Sequence, residues 1–297
     1  MNRYWRSTPI VLAAALAGCG GGGGVNSFAM PTPTPTPTPS PAGFPSIVAT
    51  ATTSQQLSVR GASYETPQAS YDHLVVGKPI LADTAQMDVR YDAVSKTYQI
   101  ELPGESAWQP ISSQAKWDDQ TFLYRGGAPD YVGVVDHRSD LQYSGLLEWF
   151  TDASSGYSAI GVATLPGNVP ITGSASYSGT ILGASSETYF DKWEALWSPM
   201  TITGAIDLSF NFGNGTLSGS INPHALPSLN FTNTVYSTGS TTFSGAFGTA
   251  LPGQNSFSGL FTGPNAQELI GNFAFPYASP TDGTTQQAGG AFVGRRP

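Results

Sequence analysis

The chain has 297 residues, of which only 11% are charged, and it carries 35 Gly and 23 Pro. That charged share is less than half of the usual quarter and fits an extracytoplasmic, strand-rich protein. With 12 basic and 20 acidic residues, a net charge of −8 and no basic cluster, the chain is a poor fit for nucleic acid or for electrostatic attachment to a membrane.

Residues 1–18 read as a signal peptide. Arg3 and Arg6 precede an apolar run over 9–16 that is too short to span a bilayer but matches a signal-peptide core. The run ends in Leu16-Ala17-Gly18-Cys19, which looks like a bacterial lipobox. Small Ala17 and Gly18 let the backbone enter a signal peptidase in extended form, while the Cys19 thiol takes a diacylglyceryl group. The freed amine then receives a further fatty-acyl chain such as palmitate. At about 0.8 kcal/mol per buried methylene, several chains anchor a protein effectively permanently. Cys19 is the only cysteine, so the processed chain keeps no thiol for disulfides, cysteine catalysis or thiolate metal sites. Loss of Arg3 and Arg6 leaves 10 basic against 20 acidic residues, a net of −10.

Residues 19–43 form a leash. Gly20 to Gly24 are flexible, and 31–41 read PTPTPTPTPSP, a polyproline II spacer with a reach on the order of 30 Å. The folded body then comprises 44–169 and 170–297. In 44–169, Met87, Val89 and Tyr91 alternate with polar residues, and Tyr98, Ile100 and Leu102 do so again after a loop. Further strand-like runs lie at 122–125, 131–135, 141–150 and 157–163. In 170–297, Ile202, Gly204, Ile206, Leu208, Phe210 and Phe212 alternate up to the turn Gly213-Asn214-Gly215, and Leu217, Gly219 and Ile221 resume. Phe243-x-Gly245-x-Phe247, Phe257-x-Gly259-x-Phe261, Gly271-x-Phe273-x-Phe275 and Gly290-x-Phe292-x-Gly294 then alternate large and small, as the interior of a narrow barrel requires. About eight strands follow from the count, the number at which side chains just fill a lumen. The fold class is all-β, with a β-rich N-terminal part and a C-terminal eight-stranded antiparallel barrel. One segment breaks the pattern: over 186–197, Phe190, Trp193 and Trp197 stand at helical spacing, which predicts a short amphipathic helix or ordered loop whose aromatics cover a barrel mouth.

The stretch 257–273, with Phe257, Gly263, Pro264, Asn265, Ala266, Glu268, Gly271 and Phe273, resembles the closing-strand motif of the barrel lobes in the transferrin-binding protein B-like family. The basic end Gly294-Arg295-Arg296 and the segment 170–179 around Tyr177 and Gly179 resemble it too. The resemblance implies a β-rich handle over 44–169 and a single handle-plus-barrel lobe, where the family's namesake has two. It further implies a lipoprotein displayed on the outer membrane by a translocator, with relatives that capture host proteins or iron and haem carriers. Gly263, Pro264, Asn265 and Gly271 read as structural, with Gly263 and Pro264 turning the chain.

No catalytic motif is present: there is no G-x-S-x-G, H-E-x-x-H or P-loop, so no enzyme, cofactor or metal is expected. His73, His137 and His224 are scattered, and Asp118, Asp119, Glu101 and Glu105 lack partners that would make a site. Two function classes stay open: a binding module that captures a protein or a carried iron- or haem-type solute, and an envelope lipoprotein without a soluble ligand. A lipocalin-like interior site ranks third, because the inward Phe residues fill the lumen. For a binding module, loops and the handle aromatics Tyr64, Tyr71, Trp108 and Trp117 are the favoured surface, since Tyr and Trp dominate interface hot spots. Trp193 and Trp197 form the competing patch.

Overall fold

In the computed structural model, the described residues are 54–65, 80–82, 87–95, 97–102, 106–117, 120–125, 131–134, 141–150, 154–191 and 196–297. Ten strands come first: β1 (Gln55–Gln56), β2 (Ser58–Glu65), β3 (Ile80–Ala82), β4 (Asp88–Asp92), β5 (Thr97–Glu101), β6 (Gln109–Trp117), β7 (Gln120–Arg125), β8 (Tyr131–Val134), β9 (Ser144–Phe150) and β10 (Ser154–Gly161). They form one sheet in the order β1-β4-β5-β6-β7-β8-β9-β10-β2-β3. Only Leu57 separates β1 from β2, yet β1 pairs with β4 while β2 pairs with β10. The segment 55–65 therefore ties both ends of the sheet together, and the Leu57 amide donates to Val89 O (2.9 Å) to extend the first ladder. Alternation sends Leu57, Val59, Val89, Ile100, Leu147, Trp149 and Ile160 into a common core.

The second set is β11 (Ser174–Asp191), β12 (Leu196–Asn211), β13 (Thr216–Pro223), β14 (Leu229–Val235), β15 (Thr242–Phe247), β16 (Ser256–Thr262), β17 (Glu268–Ala278) and β18 (Thr285–Arg295). Each pairs antiparallel with the next, and β18 returns to β11 to close an eight-stranded barrel. Closure removes sheet edges from the barrel wall. Register explains how the narrow interior fills. Phe292 lies opposite Gly271, Gly271 opposite Gly259, and Gly259 opposite Phe243, so two bare backbones stand between two rings. The Phe243 and Phe292 rings approach each other at 6.5 Å over these glycines.

The outer wall of β11, β16, β17 and β18 is apolar as well. Leu182, Ala184, Leu260, Ile270, Ala291 and Val293 pack against Tyr64, Leu146, Tyr157 and Ala159 of the first sheet. Burial of both faces is why all of β17 up to Tyr277 is enclosed. Buried polar pairs fix the register of this junction: Gln142 and Tyr143 amides donate to the Glu268 carboxylate (2.7 and 2.9 Å), Ser144 and Thr262 hydroxyls share a bond (2.6 Å), and Asn272 donates to Gly61 O (3.2 Å). Each such group, left unmatched, would cost more than the bond contributes, so they select one docking geometry.

Candidate functional site

The barrel interior is occupied by its own side chains. Phe210 stacks edge-on against Phe243 (5.1 Å) and Phe261 (4.9 Å), and Phe247 against Phe275 (5.5 Å). These rings are 3% exposed or less. A solute in the lumen would have to displace them, so candidate recognition surfaces lie outside the barrel.

One such surface is an arm. β11 and β12 run for 18 and 16 residues, against 7 and 6 for β14 and β15. β18 accompanies β11 only to Ser185, and β13 accompanies β12 only from Gly204 onward. Beyond those points the ribbon pairs with itself: Thr188 with Pro199, Tyr189 with Ser198, Phe190 with Trp197, and Asp191 with Leu196. The base is pinned by the Glu187 carboxylate, which accepts bonds from Tyr277 (3.0 Å), Ser279 (2.8 Å) and Thr281 (3.2 Å). Burial pushes the Tyr277 hydroxyl pKa well above its ordinary value, so it stays a donor to that carboxylate. The short helix or ordered loop expected over 186–197 is thus strand through Asp191 and again from Leu196. The cause is cross-strand pairing of aromatic and β-branched residues, which a window of helical spacing does not register. Trp197 stands opposite Phe190, Tyr189 is 48% exposed, and Trp193 lies outside the described residues.

Among the described handle aromatics, Tyr64 and Trp108 pack against different partners. Tyr64 is 2% exposed and belongs to the junction, which corrects its expected place in a binding face. Its hydroxyl shares its one proton between the Ala184 and Gly289 carbonyls and accepts the Ala184 N–H (3.1 Å), because that face of β2 backs onto the barrel. Trp108 is half-buried beneath the Arg90 guanidinium, whose centre stands 4.3 Å from the ring, while Arg90 Nε donates to Gln99 Oε1 (2.6 Å). Arg90 is a partner that the strand pattern alone did not reveal. Trp117 ends β6 opposite Gln120, at the far end of that strand from Trp108 and about 30 Å away along it. Tyr71, Cys19, His73 and His137 fall outside the described residues.

The motif residues hold the barrel to its lead-in. Gly263 takes φ 72 and faces the Tyr143 ring, its amide donates to Val162 O (2.9 Å), and its carbonyl accepts from Thr164 (2.7 Å). Pro264 opens a single 3-10 turn, and Asn265 adopts φ 55, a left-handed conformation that Asn tolerates better than most. Gly271 lies under Phe292. Among the described residues, no three His, Cys, Asp or Glu side chains converge as a metal site would need.

A handle sheet followed by a filled, closed barrel with one extended arm defines a single handle-plus-barrel lobe. Residues 169–296 match the family described as C-lobe and N-lobe beta barrels of Tf-binding protein B, in line with the resemblance carried by 257–273 and the basic end. Among solved structures, a transferrin-binding protein B double mutant from Haemophilus parasuis is 18% identical, with a TM-score of 0.47, over 80% of this chain and 45% of that one. The isotype 1 transferrin-binding protein B from serogroup B Neisseria meningitidis is 18% identical, with a TM-score of 0.45, over 81% and 43%. The chain spans under half the length of these two structures. No curated protein sequence matches it.

Proposed function

We propose that this protein is a lipid-anchored capture module on the outer face of the outer membrane, binding a host or environmental protein or a protein-carried iron- or haem-type solute. The observation that carries the reading is the self-paired arm over β11 and β12, which leaves a barrel whose interior is already full. A filled barrel serves as a rigid frame, and recognition on rigid frames falls on the segments they project. The relation of residues 169–296 to a family named for binding transferrin supports a binding role rather than an enzymatic one. Transferrin itself is not assigned as partner, because no ligand-contacting residue carries over from the resemblance.

Anchoring follows from Cys19. Cys19→Ala abolishes incorporation of a fatty-acid analogue and releases the protein from the membrane fraction; unchanged labelling would sink the lipoprotein reading. Gly20 after the cysteine, in place of an acidic residue, favours outer-membrane sorting by analogy, and loss of the protein on protease treatment of intact cells checks the outward orientation. Capture is tested with residues 44–297 as bait under iron-limited and rich conditions. One saturable partner supports capture, whereas repeated blanks favour an envelope protein without a soluble ligand.

A further inference from the structure

The outer wall of β15, β16 and β17 carries a cleft whose lining lies outside the arm. Ser244, Ser258 and Asn272 stand in register across the three strands, and Ala246 and Ser256 lie two residues along from the first two. These positions alternate with Phe243, Phe257 and Phe273, which fill the lumen, so their side chains face outward. Asn272 is fixed at one end of the row: its Nδ2 donates to Gly61 O of β2 (3.2 Å), and its Oδ1 accepts from Ser258 Oγ (2.7 Å). At the other end β14 bulges. Thr232 pairs with Ala246 and Val235 with Ser244, three residues along one strand against two along the other. Asn233 takes up the extra length at φ 48, a left-handed conformation that suits Asn. These groups border a cavity of about 530 Å³, inside the roughly 300–1,000 Å³ range of small-molecule sites.

The lining decides what such a cleft can hold. Among the described residues it carries hydroxyl, carboxamide and apolar groups and no charged side chain. An ionic ligand would give up hydration with no counter-charge in return, and an apolar one would cover the Ser and Asn groups without hydrogen bonds. The strands beneath are paired on both sides in a closed barrel, so the wall offers no strand edge to an extended peptide. Ser hydroxyls and Asn carboxamides both donate and accept, which matches a ligand whose own groups do both. A neutral sugar has that chemistry: its hydroxyls donate and accept around a ring, and its C–H face can rest on the Ala246 methyl.

We propose that the cleft between the β14 bulge and Asn272 binds a neutral sugar, free or at the end of a glycan, as a site additional to the arm. The test uses the full chain in detergent micelles. Saturation-transfer NMR is recorded with glucose, galactose, mannose and N-acetylglucosamine, with sialic acid as the charged comparison. The expected result is saturable transfer to at least one neutral sugar and none to sialic acid. Ala246→Trp fills the cleft and should abolish transfer at an unchanged melting temperature. Ser244→Ala removes one hydroxyl without adding bulk and should raise the Kd about threefold or more. A carrier protein bearing the preferred sugar at its glycan ends separates the two sources. Retention that free sugar competes away assigns a glycan, and binding of the free sugar alone assigns a solute. No transfer to any neutral sugar at tens of millimolar, equal transfer to sialic acid, or transfer unaltered in both variants would each overturn the proposal.

Discussion

At position 259 a methyl group has no free volume. An added Cβ would meet the Phe243 ring and Ile270 O closer than 3.0 Å, and at position 271 it would meet the Phe292 ring and Ser258 O. Because a backbone carbonyl blocks each position as well as a ring, side-chain movement alone cannot relieve the clash. Gly259→Val and Gly271→Val should therefore each destabilise by about 1–3 kcal/mol or more in urea unfolding. Gly145→Ala, where a Cβ would have open space, should stay within about 0.5 kcal/mol of the parent and serves as the control. A second residue-scale effect is electrostatic. Burial raises the Glu148 carboxyl pKa above its ordinary 4.5, partly offset by its hydrogen bond with Tyr157. The folded state then holds a proton that the unfolded chain has lost, so this group's contribution falls as pH rises from about 4.5 through the raised value. Glu148→Gln should melt close to the parent at pH 4 and higher than it at pH 7; a constant difference across that range would rule the explanation out.

Strands that bury one face were legible in the sequence, and those with unusual neighbours were not. The alternations at Val89/Tyr91, Tyr98/Ile100 and 202–212 each correspond to an observed strand, because a solvated outer face preserves the period of two. β17 carries Leu269-Ile270 and Phe273-Ala274 on opposite faces, with apolar residues on both, because its outer face meets the handle. No single alternation can announce that junction. The arm was misread for a related reason: Phe190, Trp193 and Trp197 fit helical spacing, while the register of Phe190 with Trp197 is a cross-strand pairing that no local window weighs. Pro199 adds a further clue that acquires meaning only in the structure. It lies on the ribbon beyond the reach of β13, where a missing N–H discourages another strand from pairing. Tyr64 looked like a surface aromatic for want of any local signal of the barrel behind it. Tyr64→Phe should cost about 1–2 kcal/mol by stranding the Ala184 and Gly289 groups that its hydroxyl serves, read as a lower melting temperature with the partner affinity unchanged.

Over the whole molecule, charge is distributed in a way that bears on capture. Residues 196–294 contain no Lys or Arg and only Asp207, Glu268 and Asp282 as acids, and of these Glu268 is buried. The outward positions Ser176, Ser178, Thr201, Ala205 and Ser209 are short and exposed, so around the exposed Asp207 carboxylate that wall offers no large aromatic anchor. Among the described residues, the arm and the Arg90–Trp108 patch carry aromatic content away from that wall. The handle is favoured from sequence, but among the described residues Tyr64 is buried in the junction and Trp108 and Trp117 stand at opposite ends of β6, whereas the arm pairs Phe190 with Trp197 next to exposed Tyr189. Hot spots are clustered and few, which moves the expected site to the arm. Trp193→Ala and Trp197→Ala should each weaken capture by about 2 kcal/mol or more, roughly thirtyfold in Kd, with melting unchanged. Trp108→Ala and Trp117→Ala should change affinity by less than about 1 kcal/mol. Capture through aromatic contacts should also hold its affinity when salt is raised from 50 to 500 mM, since screening acts chiefly on exposed charge pairs (about 10 Å Debye length at 0.1 M). Loss of binding in the Trp108 variant with the arm variants intact would return the site to the handle. A steep salt dependence would point to the acidic residues of 44–169 as the contact surface.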